Sequence, residues 1–420
     1  MTYDFTTLGA ILGLVIAIVL IVKQVQPAYA LIFGALLGGI IGGGGLEKTV
    51  SAMVTGSQGM MSSVLRIMTS GILAGTLIQT GSAEKIAGAI VEKLGDKRAI
   101  AAISIATMII CAVGVFIDIS VITVAPIALA IAKKAGYNKY SILLAMIGGG
   151  KAGNIISPNP NTIATAEAFK IDLTALMIKN IIPAIVALIV TILLASMLRK
   201  KGDCDVLDTD IEKQNDTKLP SFPAAVCGPV VVVVLLALRP IFNIAVDPLI
   251  ALPLGGLVCT LTTGNVRKFW SQAAFGLGKV ANVSILLLGT GTIAGIIQAS
   301  ALQSDVIRLL EYMNMPAFVL APVAGILMAG ATASTTAGST IASQTFATPL
   351  TNAGIKAISS AAMIHSGATV IDSLPHGSFF HATGGSVNMK IKERMGLIPY
   401  EACIGLSSTL TAVIIYLLGF

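Results

Sequence analysis

The chain has 420 residues, of which 55% are hydrophobic and only 11% charged, with 27 Lys and Arg against 20 Asp and Glu for a net charge of +7. Mean hydropathy is +0.90, which excludes an ordinary soluble domain and a disordered chain and predicts an all-α polytopic membrane protein. The positive charge is spread over short loops, where it sets membrane orientation, so nucleic acid is excluded as a partner.

The first apolar run follows Met1-Thr-Tyr-Asp-Phe5, without a basic start or an evident small-residue cleavage site, and reads as a retained span. Residues 7–80 hold three predicted spans: Leu8–Val22, Ala28–Ile41 and Met60–Thr80. Segment 81–97 is too charged to cross. Its Ala83, Ile86, Ala87, Ile90, Val91 and Leu94 share one helical face, which predicts an interfacial arm. Residues 98–136 are apolar but interrupted at Gly114–Ser120. Either limb is short for a span, which favours a re-entrant hairpin over two full crossings. A broken helix is predicted over 139–168. At its centre, Gly148–Thr162 carries a lysine, three asparagines, two prolines and four glycines between apolar flanks. A surface loop is the plainer alternative. A span at 175–198 closes the first half, and 199–221 is a soluble, charged linker.

Residues 222–420 retrace this order, with spans within 222–298, an arm at 300–314, a hairpin at 316–354, a broken helix at 356–386 and a last span at 401–420. The arm places Leu302, Val306, Leu309, Leu310 and Met313 on one face, and the hairpin is interrupted at Ala331–Thr340. Gly75–Thr80 aligns with Ala294–Ala299, and Gly150–Pro158 with Gly367–Pro375. Five spans in each of 1–198 and 222–420, an odd number, make the halves inverted repeats. A cytoplasmic linker puts most loop lysines and arginines inside and both termini outside. The five cysteines are scattered and mostly within apolar runs, so they read as small core residues.

Two hairpin tips and two breaks meeting at mid-membrane would enclose one polar cavity. Its candidate substrate-binding residues are Ser120, Lys151, Asn154, Ser157, Asn159, Asn161, Thr162, Thr335, Ser339, Thr340, His376 and Ser378, with Ser334, Thr336 and Ser373 beside them. Helix N-termini attract anions, while amides and hydroxyls bond neutral oxygens, a set suited to a small hydroxylated carboxylate. Charges at this depth are costly, which singles out Asp118, Lys151 and Asp372; a structural Asp118–Lys151 pair is the bland reading. Glu167 is expected at the outer interface, solvated. All three histidines, His365, His376 and His381, lie within residues 365–381. Histidine suits proton exchange near neutrality, so Asp118, His365, Asp372 and His376 are the proton-coupling candidates, His376 first because it aligns with Asn159. No zinc signature, nucleophile elbow or nucleotide loop accompanies them, so neither a metal nor a cofactor is expected. The hydroxyl run at 332–340 also suits close helix packing. An intramembrane enzyme and a channel are the rival classes.

Gly150-Lys-Ala-Gly-Asn-Ile-Ile-Ser-Pro-Asn-Pro-Asn-Thr-Ile-Ala164 closely resembles the signature of the gluconate permease family, and the similarity runs over nearly the full chain. The resemblance implies a proton-coupled symporter of sugar acids or related small hydroxy acids, with sodium coupling as the alternative, in the inner membrane. More distantly, the hairpins and broken helices look like the ion-transporter superfamily. That likeness implies a homodimer in which a transport domain moves as an elevator against a scaffold. The stretch Ser373-Leu-Pro-His-Gly-Ser-Phe-Phe-His381 departs from the polar run usual in gluconate carriers. It is similar to members assigned to shorter hydroxy acids such as 3-hydroxybutyrate.

Overall fold

The computed structural model describes residues 4–95, 98–199, 204–210, 219–302, 304–305, 308, 312, 316–375 and 377–420. The first half comprises α1 (Thr7–Val22), α2 (Pro27–Ile41), α3 (Gly45–Gln58), α4 (Met61–Gln79), α5 (Ser82–Leu94), α6 (Ala99–Ala112), α7 (Ile117–Ala135), α8 (Lys139–Asn154), α9 (Pro160–Ala168), α10 (Leu173–Lys179) and α11 (Ile181–Met197). The second comprises α12 (Phe222–Phe242), α13 (Pro248–Thr262), α14 (Phe269–Gln298), α15 (Leu320–Thr332), α16 (Thr335–Asn352), α17 (Ala357–Gly367), α18 (Ser378–Gly385), α19 (Ile391–Met395) and α20 (Ile398–Leu417).

Helix starts follow local chemistry. Thr6, Asn138, Asp172 and Asp247 each accept a backbone N–H of the first turn they cap, at 2.8–3.2 Å. Pro27, Pro160 and Pro248 stand at the first helical position, where a missing donor costs nothing. Among the described residues three helical stretches, Met61–Gln79, Val266–Gln298 and Ile391–Leu417, are long and apolar enough to cross a bilayer, and α10 with α11, bent by 43°, forms a fourth. Exposed Ile182, Ile185, Ile189 and Leu193 of α11 recur at helical spacing, a face that only lipid or another apolar partner can cover. The chain is a multi-pass helical membrane protein.

Two bundles emerge from the packing. In one, α14 lies against α2, α3 and α4, with α1 on α2 and α12 and α13 alongside. Glycine makes these crossings close: a Cβ on Gly276 of α14 would fall 1.8 Å from the carbonyl oxygen of Gly71 on α4. In the other, α6 and α11 pack on α8, α16 on α9 and α15, and α20 on α11 and α17. The bundles meet where α4 touches α9 and α14 touches α16.

Several boundaries differ from expectation. Helix α3 was not expected, because Glu47, Lys48, four hydroxyl residues and two glycines dilute its apolar face. Helix α14 runs unbroken for 30 residues, longer than the predicted 276–298 span. The first hairpin breaks only at 113–116, so Asp118 and Ser120 fall in the first turn of α7. The second breaks only at Ala333, which is left-handed (φ +45°), and Ser334; Thr335–Thr340 are helical, because the Ser334 hydroxyl caps Ala337 N and starts α16 at once. Helix α5 buries Ala83, Ile86, Ala87 and Val91, the face the sequence marked. Of the second arm, Val306, Leu309, Leu310 and Met313 lie outside the described residues.

Candidate functional site

Helix α8 is buried along its length because its glycines admit neighbouring backbone: a Cβ on Gly149 would stand 2.1 Å from the carbonyl oxygen of Ser104 on α6. The helix ends at Asn154, and Pro158 and Pro160 keep the chain from resuming before α9. Asn159 caps that restart. Its side-chain oxygen accepts from the backbone N–H of Asn161 (3.0 Å) and Thr162 (3.2 Å) and from the Thr162 hydroxyl (3.2 Å). Its amide donates to the Asn154 side-chain oxygen at 2.6 Å, which also receives Asn161 Nδ2 at 2.9 Å. Asn161 in turn accepts from the hydroxyl of Thr336 at the second hairpin tip. One break and the opposite tip are thereby joined.

The second break, 368–377, is longer than the first, 155–159. Lys151 reaches across to it: Nζ donates to the Thr369 carbonyl and to Asp372 Oδ1, both at 2.6 Å. Asp372 also accepts from Thr335 Oγ1 (2.5 Å) and Ser373 Oγ (3.1 Å). The suggested Asp118–Lys151 pair is therefore corrected, since Asp372 of the other half holds the lysine. Glu167, expected to be solvated, is partly exposed and also paired. It bonds Arg66 NH1, while Arg66 grips Asp247 through Nε (3.0 Å) and NH2 (2.6 Å).

A cavity of about 530 Å³ opens between the bundles. Helices α7, α9, α16 and α18 all begin at its wall, through Ile117–Ile119, Asn159 and Asn161, Ser334–Ala337, and Gly377–Phe379. Of the predicted residues, Asp118, Asn154, Asn159, Asn161, Thr335, Asp372 and Ser378 line it. Lys151, Ser157, Thr162, Ser339, Thr340, Ser120 and His365 are buried around it or away from it without lining it. Ser120 donates to the Phe116 carbonyl (2.9 Å) and Ser339 to that of Thr336 (3.3 Å), so their hydroxyls close helix turns. Asn154 Nδ2, Ser157 Oγ, Thr340 Oγ1 and both ring nitrogens of His365 are buried with no hydrogen-bond partner among the described residues. His381 is exposed, its Nε2 2.8 Å from the Pro375 carbonyl oxygen, and His376 lies outside the described residues. Among the described residues no cluster of three His, Cys, Asp or Glu is placed to hold a metal.

The opposite wall comes from residues the sequence reading passed over. Lys279 and Asn282 of α14, with Gln24 and Gln26 of the α1–α2 turn, face the cavity. The signal was present, since Lys279 interrupts an otherwise uncharged 30-residue helix.

Comparison with known proteins gives this architecture relatives. Residues 5–419 match the family described as GntP family permease. A protein of Haemophilus influenzae named as an uncharacterized transporter is 52% identical over 98% of this chain and 98% of its own. A gluconate permease of Pseudomonas aeruginosa is 24% identical over 65% of each chain. The D-serine transporter DsdX of Escherichia coli K12 is 21% identical over 77% of this chain and 79% of that one. Among solved structures, the YdaH transporter of Alcanivorax borkumensis has the same fold, with a TM-score of 0.71 at 14% identity over 98% of this chain and 99% of that one.

Proposed function

The chain belongs to the GntP permease family, and on that premise we propose that it is a proton-coupled symporter of a small hydroxylated monocarboxylate, a gluconate-type sugar acid or a shorter hydroxy acid such as 3-hydroxybutyrate. The observation that carries this reading is the convergence of four helix starts, α7, α9, α16 and α18, on one amide- and hydroxyl-lined cavity. Each start presents a positive dipole end, which favours an anion, while Asn154, Asn159, Asn161 and Thr336 suit the oxygens of a hydroxylated chain. It is a carrier, not an enzyme. Asp118 stands at the cavity as a candidate proton carrier.

Alternating access in this reading is an elevator. The two halves are inverted repeats; α1–α4 with α12–α14 form the scaffold of a homodimer, and α6–α9 with α15–α18 carry the solute. With the linker cytoplasmic in the inner membrane, the α1–α2 turn is inside, so the cavity it borders opens inward. The Arg66–Glu167–Asp247 network then closes the outer side. Names of relatives support a substrate with a carboxylate and a polar group near it, since they include gluconate and D-serine.

Uptake of labelled substrate into proteoliposomes tests the proposal. Gluconate, 3-hydroxybutyrate and D-serine are added in turn, with and without an imposed proton gradient, and again with a sodium gradient. Saturable uptake of a hydroxy acid that rises with the proton gradient is expected. Dependence on sodium alone would replace the coupling ion, and a response only to D-serine would replace the substrate class.

A further inference from the structure

The cavity needs a cation to match a carboxylate, and the sequence offered Lys151. That lysine is withdrawn into the protein, neutralised by Asp372 and without access to the cavity. Among the described residues lining the cavity, the charged groups are Asp118, Asp372 and Lys279. Asp372 is matched by Lys151 and two hydroxyl donors. Asp118 and Lys279 are thus the charges left at the wall, near enough to interact, and Lys279 is the positive one. It stands in the third turn of α14, exposed to the cavity, with Nζ 5.1 Å from the centroid of the Phe275 ring one turn earlier. Nothing in helix packing requires a lysine there, and a charge inside so apolar a helix is costly unless it serves a polar partner.

We propose that Lys279 receives the carboxylate of the transported acid in this conformation and discriminates acids from their uncharged analogues. Asn282, one turn on and lining the same wall, supplies an amide beside it. Resting on the carrier reading above, the inference adds a directional property. Helix α14 belongs to the bundle that stays still, so the substrate meets Lys279 on one side of the cycle and leaves it when the carrying bundle moves. The fixed lysine makes recognition asymmetric across the membrane.

The test uses the purified full chain, with binding followed by thermal shift and calorimetry for gluconate and 3-hydroxybutyrate against glucose and 1,3-butanediol. In K279Q the Kd for the acid should rise about tenfold or more, the order expected for one charge-assisted hydrogen bond, while K279R retains most of the affinity. K279M, which removes the charge without leaving a polar group in an apolar helix, provides a second neutral variant if K279Q folds poorly. Uptake is then measured from each face of oriented proteoliposomes, where the rise in KM should be confined to the face on which this cavity opens. Unchanged Kd in both neutral variants overturns the role of Lys279 and leaves the carrier reading standing. An equal rise in KM from both faces overturns the directional property. If the wild-type chain binds neither acid, the carrier reading falls and the inference with it.

Discussion

The ammonium of Lys151 and the carboxylate of Asp372 lie 2.6 Å apart with side-chain exposures of 2% and 1%. Removing one member of such a pair strands a charge in a medium that cannot solvate it, at a cost of about 3–5 kcal/mol, whereas replacing both by apolar groups is often near neutral. K151M and D372L alone should each lower the melting temperature of the detergent-solubilised protein sharply, and K151M/D372L should recover much of the loss. Recovery stays partial because Thr335 and Ser373 lose their acceptor. A double variant no more stable than the singles would show that the pair does not tie the two breaks together. The rule that intramembrane charge is costly picked out Asp118, Lys151 and Asp372 from sequence, and Asp118 and Asp372 reached the cavity. Partners were not legible: Lys151 and Asp372 are 221 residues apart, and nothing local says which carboxylate a lysine will meet. Lys279 escaped because it sits in a helix that reads as scaffolding, and Ser339 and Thr340 misled because a single capping serine restores the helix before them.

The linker between the halves reads as a plain solvated tether, yet its segment 204–210 is built into the protein. Lys139 N donates to the Cys204 carbonyl (2.8 Å), and Asp210 accepts from Lys139 Nζ (2.8 Å), Leu207 N (2.8 Å) and Asn388 Nδ2 (3.2 Å). This clasp joins the start of α8 to the turn between α18 and α19, one element from each half. Burial alone would raise the Asp210 pKa, but the hydrogen bonds from Lys139, Leu207 and Asn388 together outweigh it and hold the carboxyl below its ordinary value. A depressed carboxylate stabilises the docked form above the unfolded pKa of about 3.9 and loses that contribution only as pH falls through the lower, folded value. Amide exchange across 204–210 in the full chain should therefore be flat between about pH 5 and 8 once intrinsic rates are corrected. D210N should accelerate it at neutral pH. Loss of protection on going from pH 8 to 5, or unchanged exchange in D210N, would rule the clasp out. Charge density marked the linker, but docking depends on contacts with residues 139 and 388, which no local pattern reveals. The apolar helices and both breaks were legible because hydrophobic runs, prolines and capping asparagines are local signals; α3 was not, because its buried face is made of Thr49, Met53 and Gly56.

Between the two bundles one contact is polar and concentrated. Arg66 on α4 holds Asp247 of the α12–α13 loop with a two-pronged grip and extends its remaining arm to Glu167 near the end of α9. Arg66 and Asp247 belong to the bundle packed around α14, and Glu167 to the one that carries the breaks. An elevator movement must part Arg66 from Glu167 and leave Arg66–Asp247 intact, because only the first contact spans the sliding boundary. A carrier whose bundles keep their relation, opening instead by local movement of the hairpin tips, has no need to break it. A cross-link separates the two. With Cys227 and Cys403, the cysteines that are not buried, replaced by serine, R66C/E167C is joined by a cleavable bifunctional maleimide and assayed for uptake in proteoliposomes. Uptake should fall to background on cross-linking and return on cleavage, while either single-cysteine variant treated with the same reagent keeps transporting. The ion contact itself is partly exposed and contributes little stability, so losing it in the variant should leave the protein folded and the arrest attributable to the tether. Undiminished uptake in the cross-linked protein would mean that the bundles do not slide, and that the helix starts around the cavity are themselves the gate.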